Sequence, residues 1–130
     1  MEFRQLDVYD LSAELGTFDI VLFLGVLYHC KHPLLALERI FNVCAGSVYV
    51  SSLILPSDLI LPRAWGGGRG NIVKFLENDE LCNADNWWIP DQATVEGMLR
   101  TVGFRNVEKL FHSAEDDPDQ LVVSLTKAVR

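Results

Sequence analysis

The stretch Gly25-Val26-Leu27-Tyr28-His29-Cys30-Lys31-His32-Pro33 puts two imidazoles, a thiol and a phenol directly after an apolar run. His29, Cys30 and His32 are metal-ligand types. A zinc site takes four ligands, however, and only the distant Cys82 could complete the set, so no metal is expected. His29 could instead be a general base, or it could hydrogen-bond the backbone at the mouth of a cleft. Gly25 would let a ligand approach the main chain closely, and Tyr28 would supply an amphipathic wall. A second pairing, Asp7-Val8, sets a carboxylate beside a backbone N–H. Together they could accept from an exocyclic amine and donate to a ring nitrogen, which is what an adenine edge offers. Trp87-Trp88 could form a platform for a bound molecule or pin a loop by burying apolar area. Arg69, inside Gly66-Gly67-Gly68-Arg69-Gly70, could meet an anionic group.

The elements that must position these groups alternate between strand and helix. FRQLDV (3–8) reads as a short strand ending in Asp7, and residues 10–16 as one helical turn stopped by Gly16. Residues 18–24, FDIVLFL, are apolar almost throughout, the pattern of a central parallel strand covered on both faces. Pro33 can open a helix, because its missing N–H needs no intrahelical partner there. Leu34, Leu35, Leu37, Ile40, Phe41 and Cys44 then recur at helical spacing, with Gly46 where a cap would fall. Residues 47–55, rich in β-branched side chains, read as the next strand. Residues 56–90 carry three prolines, the glycine cluster and both tryptophans, and read as a long substrate-side insertion or lid. A helix from Asp91 buries Val95, Met98, Leu99 and Val102 and closes at Gly103. Residues 104–111 and 121–129 form an antiparallel pair around the acidic run 115–119. The expectation is an α/β fold with a mostly parallel sheet and a C-terminal antiparallel hairpin.

Bulk properties narrow the function. The 130 residues suit one domain, and 49% hydrophobic with 22% charged residues is globular composition. A net charge of −7 argues against gripping a nucleic-acid backbone, though a locally basic groove remains allowed. No apolar run is long enough to cross a bilayer, and residues 1–10 lack the order of a signal peptide. Three widely spaced cysteines suit free thiols in a reducing, cytoplasmic setting.

Three separated motifs, DVYDLS, FDIVLFLGVLYHCKHPLLAL and NWWIPDQATVEGMLRTVGF, resemble class I S-adenosylmethionine-dependent methyltransferases. The GVLYH-x-x-x-P element is most similar to the branch of the tRNA wobble-uridine carboxymethyltransferases. The resemblance covers residues 3–128 and implies a Rossmann-like fold with S-adenosylmethionine as cofactor. Carried over by position, Asp7 resembles the acid that holds the adenine amine, and Val8 the residue whose N–H meets the ring. Leu24 and Gly25 resemble the strand end beneath the methionine part of the cofactor. Tyr28 resembles a cleft tyrosine, and His29 is the nearest candidate base. Arg69, Trp87 and Trp88 are the candidates on the acceptor side.

Two departures temper that likeness. The family's first strand, its E/D-x-G-x-G turn and the acid that grips the ribose have no counterpart before Asp7. The chain therefore reads as a partial methyltransferase domain lacking its first βαβ unit, weak or inactive by itself. The carboxymethyl-transferring members also use an arginine near the last strand, where residues 119–127 offer Gln120 and no arginine. The expected activity is ordinary methyl transfer to a small-molecule or sugar-like acceptor. The rivals are a tRNA-modifying methyltransferase and a non-catalytic interaction domain. The second would form a homodimer through the edge of strand 18–24, a strand nonetheless expected at the centre of the fold.

Overall fold

A computed structural model describes residues 2–55, 71–77, 85–113 and 122–130. The first strand of the sheet, β1 (Phe18–Leu24), leads through a tight turn into α1 (Pro33–Val43), which passes directly into β2 (Cys44–Ile54). A two-stranded antiparallel ladder follows, β3 (Val73–Phe75) with β4 (Trp88–Pro90). Then come α2 (Gln92–Thr101), β5 (Arg105–His112) and β6 (Val122–Val129). The main sheet has the order β1-β2-β6-β5. β1 and β2 are parallel, and β6 is antiparallel to both β2 and β5. Three of the four strands therefore point the same way, and β5 with β6 is the expected terminal hairpin.

Each helix lies on the sheet by one stripe. Pro33 occupies the first turn of α1, and Ala36, Leu37, Ile40 and Val43 are its buried positions. Asp91 caps α2: its Oδ1 accepts from Thr94 N at 2.7 Å and its Oδ2 from Ile72 N at 3.2 Å. Val95 and Leu99 then meet Val48, Val50 and Ala128 in one core, with Phe104 edge-on to Phe41 at 5.0 Å between centroids. As expected, α2 ends at Gly103, whose φ is 114°.

Three sequence expectations need correction. Residues 3–7 form no strand; the chain enters 3-10 turns at Val8–Asp10 and Ala13–Leu15, the second closed by Gly16 at φ 92°. Main-chain bonds local to those turns, Asp10 N to Asp7 O and Gly16 N to Ala13 O, each at 3.0 Å, take the place of a ladder. Secondly, β1 is not central. It is an edge strand, and Phe18, Ile20, Leu22 and Leu24 on one of its faces are 49–65% exposed. Thirdly, α1 is not capped by Gly46, since Cys44 already begins β2. Gly46 serves a different need. The β1–β2 register shifts between Phe18 and Ile20, where β2 carries one extra residue, and the carbonyl of Asp19 occupies the place where a Cβ on residue 46 would stand.

Candidate functional site

In an open parallel sheet, ligands gather beyond the carboxyl ends of the strands. Here that place is the turn after Leu24. Gly25 donates its N–H to Ser51 O at 3.0 Å and takes φ +70°, a left-handed conformation that glycine adopts without steric cost. The chain then coils through a 3-10 turn, Leu27–His29, anchored by the fully buried Leu27. The Tyr28 hydroxyl folds back to within 3.8 Å of the Cβ position of Gly25. Tyr28 and His29 rings lie 4.1 Å apart at 44°.

His29 is held from the far side of the cleft. Its Nδ1 lies 2.9 Å from the carbonyl oxygen of Asp85. A carbonyl only accepts, so Nδ1 carries the proton, and in the neutral ring Nε2 keeps its lone pair. The same crossing is tied by Trp87 N donating to Tyr28 O at 2.9 Å and Trp88 Nε1 donating to Lys31 O at 3.1 Å. The Lys31 ammonium stands over the Trp87 ring, 4.7 Å from its centroid.

Asp7 approaches from the third side. One of its oxygens accepts from Tyr9 N at 3.0 Å and so caps the turn. Val8 opens that turn, a position whose N–H has no intrahelical acceptor. The Tyr9 hydroxyl accepts from His32 N at 3.0 Å. Burial, first of all, raises the Tyr9 phenol above its ordinary pKa of 10.0 and the Cys30 thiol above 9.0. Both groups are thus neutral at pH 7 and serve as packing and wall.

Two hollows meet at Asp7. One, of about 590 Å³, is lined by Asp7, Tyr9, His29, Lys31, Asp85 and Trp87. The other, of about 570 Å³, has Asp7 and Val8 on one side and the consecutive residues Ile20, Val21, Leu22 and Phe23 on the other. Successive strand residues point to opposite faces, so this second hollow follows the unpaired edge of β1.

The sequence candidates are therefore divided. Asp7, His29 and Trp87 share a cavity. Val8 joins Asp7 in the neighbouring groove, whereas the linings of both hollows omit Leu24, Gly25 and Tyr28. Trp88 faces away, its ring tilted 55° against Phe75 with centroids 4.8 Å apart, and lines a separate groove beside α1. Arg69 and Cys82 lie outside the described residues. His29 and His32 have different partners, and among the described residues no three His, Cys, Asp or Glu side chains gather as a metal set. Sequence reasoning missed Tyr9, Lys31 and Asp85. The only signal for Lys31 was its place between the two histidines.

Comparison with known proteins agrees with this architecture. No family model matches the chain. The tRNA U34 carboxymethyltransferase of Helicobacter pylori (strain Shi470) is 29% identical over 114 residues, 83% of this chain and 38% of that protein. The enzyme of the same name from Pseudomonas syringae pv. tomato is 32% identical over 101 residues, 75% of this chain and 28% of that protein. The chain thus spans about a third of the length of these relatives. The N-terminal domain of EvdMO1, crystallised in the presence of S-adenosylhomocysteine and D-fucose, matches with a TM-score of 0.67 at 25% identity. That match covers 98% of this chain and 54% of the other. A Burkholderia thailandensis 1,6-didemethyltoxoflavin-N1-methyltransferase with bound S-adenosylhomocysteine shares the fold (TM-score 0.62, 16% identity), over 96% of this chain and 48% of that one. No helix among the described residues is long and apolar enough to cross a membrane. By sheet order, by the turn after β1 and by these likenesses, the chain has the fold of the class I S-adenosylmethionine-dependent methyltransferases, with a sequence that resembles the tRNA U34 carboxymethyltransferases.

Proposed function

We propose that this chain is the acceptor-side part of a cytoplasmic methyltransferase that methylates a small-molecule or sugar-like acceptor. The observation that carries the reading is the shared cavity of Asp7, His29 and Trp87 beyond the carboxyl end of β1. Bound S-adenosylmethionine supplies an electrophilic methyl on a sulfonium. Asp7, through the oxygen not engaged by Tyr9, and Val8, through its N–H, suit the adenine edge. Leu24 and Gly25 would underlie the methionine part. The partners expected for the ribose, a glycine-rich turn and a second acid, are not found in residues 1–130, so binding by these residues alone is weak. His29 then has one task. With Nδ1–H spent on Asp85 O, Nε2 is free to take the proton of an acceptor hydroxyl. Trp87 supplies a flat wall that orients the acceptor, and positioning of this kind accounts for much of the rate in such transfers. Tyr28 is kept as a cleft wall on its residue type and on the resemblance, and Arg69 and Trp88 as acceptor-side candidates on residue type.

Calorimetric titration with S-adenosylhomocysteine tests this reading. Saturable binding that Asp7→Ala weakens roughly tenfold supports it, because a lost charged hydrogen bond costs about 1.5–3 kcal/mol. No binding at any concentration overturns it.

The curated relatives favour tRNA as acceptor, while the charge of −7 and the absence of an arginine between residues 119 and 127 favour a small molecule and ordinary methyl transfer. A second reading rests on the groove along β1. Its strand-shaped lining suits an added strand, so the chain could act as an interaction module that pairs with a second copy. Sedimentation separates the two: a concentration-dependent dimer with no cofactor binding favours the module.

A further inference from the structure

The cavity of His29 and Trp87 has a neighbour with which it shares a wall. Lys31 lines both it and a groove of about 360 Å³ formed by His32, Pro33, Leu34, Leu35, Val73, Trp88 and Met98. The two tryptophans part at this wall, Trp87 facing the polar cavity and Trp88 the apolar groove. Trp88 cannot swing freely, because its indole N–H is spent on Lys31 O and its ring rests on Phe75. The groove is apolar and open: Leu34 is 43% exposed and Val73 37%. The first cavity is its chemical opposite, with two carboxylates, an ammonium and an imidazole around one indole.

We propose that the two hollows together bind one amphipathic acceptor. Its hydroxylated ring sits against Trp87 with a hydroxyl at His29, and its apolar substituent crosses Lys31 into the groove of Leu34, Val73, Trp88 and Met98. Continuity decides the occupant. A ligand filling the polar cavity leaves by way of Lys31, and the surface it then meets gains by covering carbon rather than hydroxyl. The Lys31 stem can lie along such a substituent while its ammonium stays over Trp87. The inference rests on the methyltransferase reading and names the acceptor class for that site: a glycoside with an aromatic or alkyl aglycone.

The test compares phenyl and methyl β-D-fucopyranoside binding to the 130-residue chain, followed by amide and methyl chemical shifts. Both glycosides should shift the Trp87 indole and His29. Only the phenyl glycoside should shift Leu34, Val73 and Met98, and it should bind roughly tenfold tighter, as expected for one buried ring face. Leu34→Ser and Val73→Ser, both at partly exposed positions, should each erase most of that advantage and leave methyl glycoside binding unchanged. Equal binding of the two glycosides, or an advantage that survives both substitutions, overturns the proposal. So does failure of either glycoside to bind while S-adenosylhomocysteine does. If S-adenosylhomocysteine fails to bind but the phenyl preference holds, the methyltransferase reading falls and the groove stands as a ligand site.

Discussion

The two faces of the sheet are alike in composition and opposite in condition. On one, Phe23, Val48, Val50, Val122 and Ala128 are buried beneath α1 and α2. On the other, Phe18, Ile20, Leu22, Leu24, Phe111 and Val123 are 37–65% exposed. Alternate residues of one strand thus belong to a core and to a bare apolar surface. A strand apolar on both sides is built for two covers, and the described residues supply one. Such a face is an adhesive surface, and it adjoins the unpaired edge of β1.

That contrast can be broken by substitution. The largest effect is expected on the covered side. Leu37→Ala, at a fully buried position on α1, should cost about 2–5 kcal/mol in urea unfolding, whereas Leu22→Ala, 65% exposed, should stay within about 0.5 kcal/mol. Equal losses would mean that the bare face is covered in solution. Next comes Gly46→Ala, which drives a methyl into the Asp19 carbonyl and should cost about 1–3 kcal/mol, with loss of β1 amide protection before that of β6. Asp91→Ala removes the cap of α2 and should cost about 1 kcal/mol, visible as a lower urea midpoint.

A smaller effect sharpens the comparison by pH. Burial pushes the thiols of Cys30 and Cys44, both on the covered side, above 9.0. Above about pH 9 the unfolded chain therefore loses these protons before the folded one, and stability falls as pH rises. Cys30→Ala should flatten that alkaline slope. Leu22→Lys should be the mildest for folding, yet it should reduce light scattering at high protein concentration. Unchanged scattering would remove the bare face as the source of association.

Much of this was legible from residues. The parallel pairing of β1 with β2, the helices at Pro33 and Asp91 and the terminal hairpin follow from periodicity and punctuation, which are local. What stayed hidden depends on neighbours. The run from Phe18 to Leu24 says that both faces are apolar, not whether anything lies on them. Phe3 to Asp7 carry strand chemistry, yet they join no ladder. At the site, Asp7, His29 and Trp87 are legible as types, and their meeting is set by the contacts of Tyr28 with Trp87 and His29 with Asp85 across 56 or more residues of chain. Trp87 and Trp88 part where β4 begins, Trp87 lying before the strand in the cavity of His29 and Trp88 entering the ladder opposite Phe75.

The direct passage from α1 into β2 has a mechanical meaning. With no linker between Val43 and Cys44, the helix and the strand turn as one shaft, and Arg130 fastens the joint through Cys44 O at 2.8 Å and the Phe41 ring at 4.5 Å. A single residue inserted there would rotate α1 by roughly 100° and turn Val48 and Val50 outward, exchanging the wet and dry sides of the protein. Loops elsewhere can absorb a change in length; this joint has no slack with which to do so.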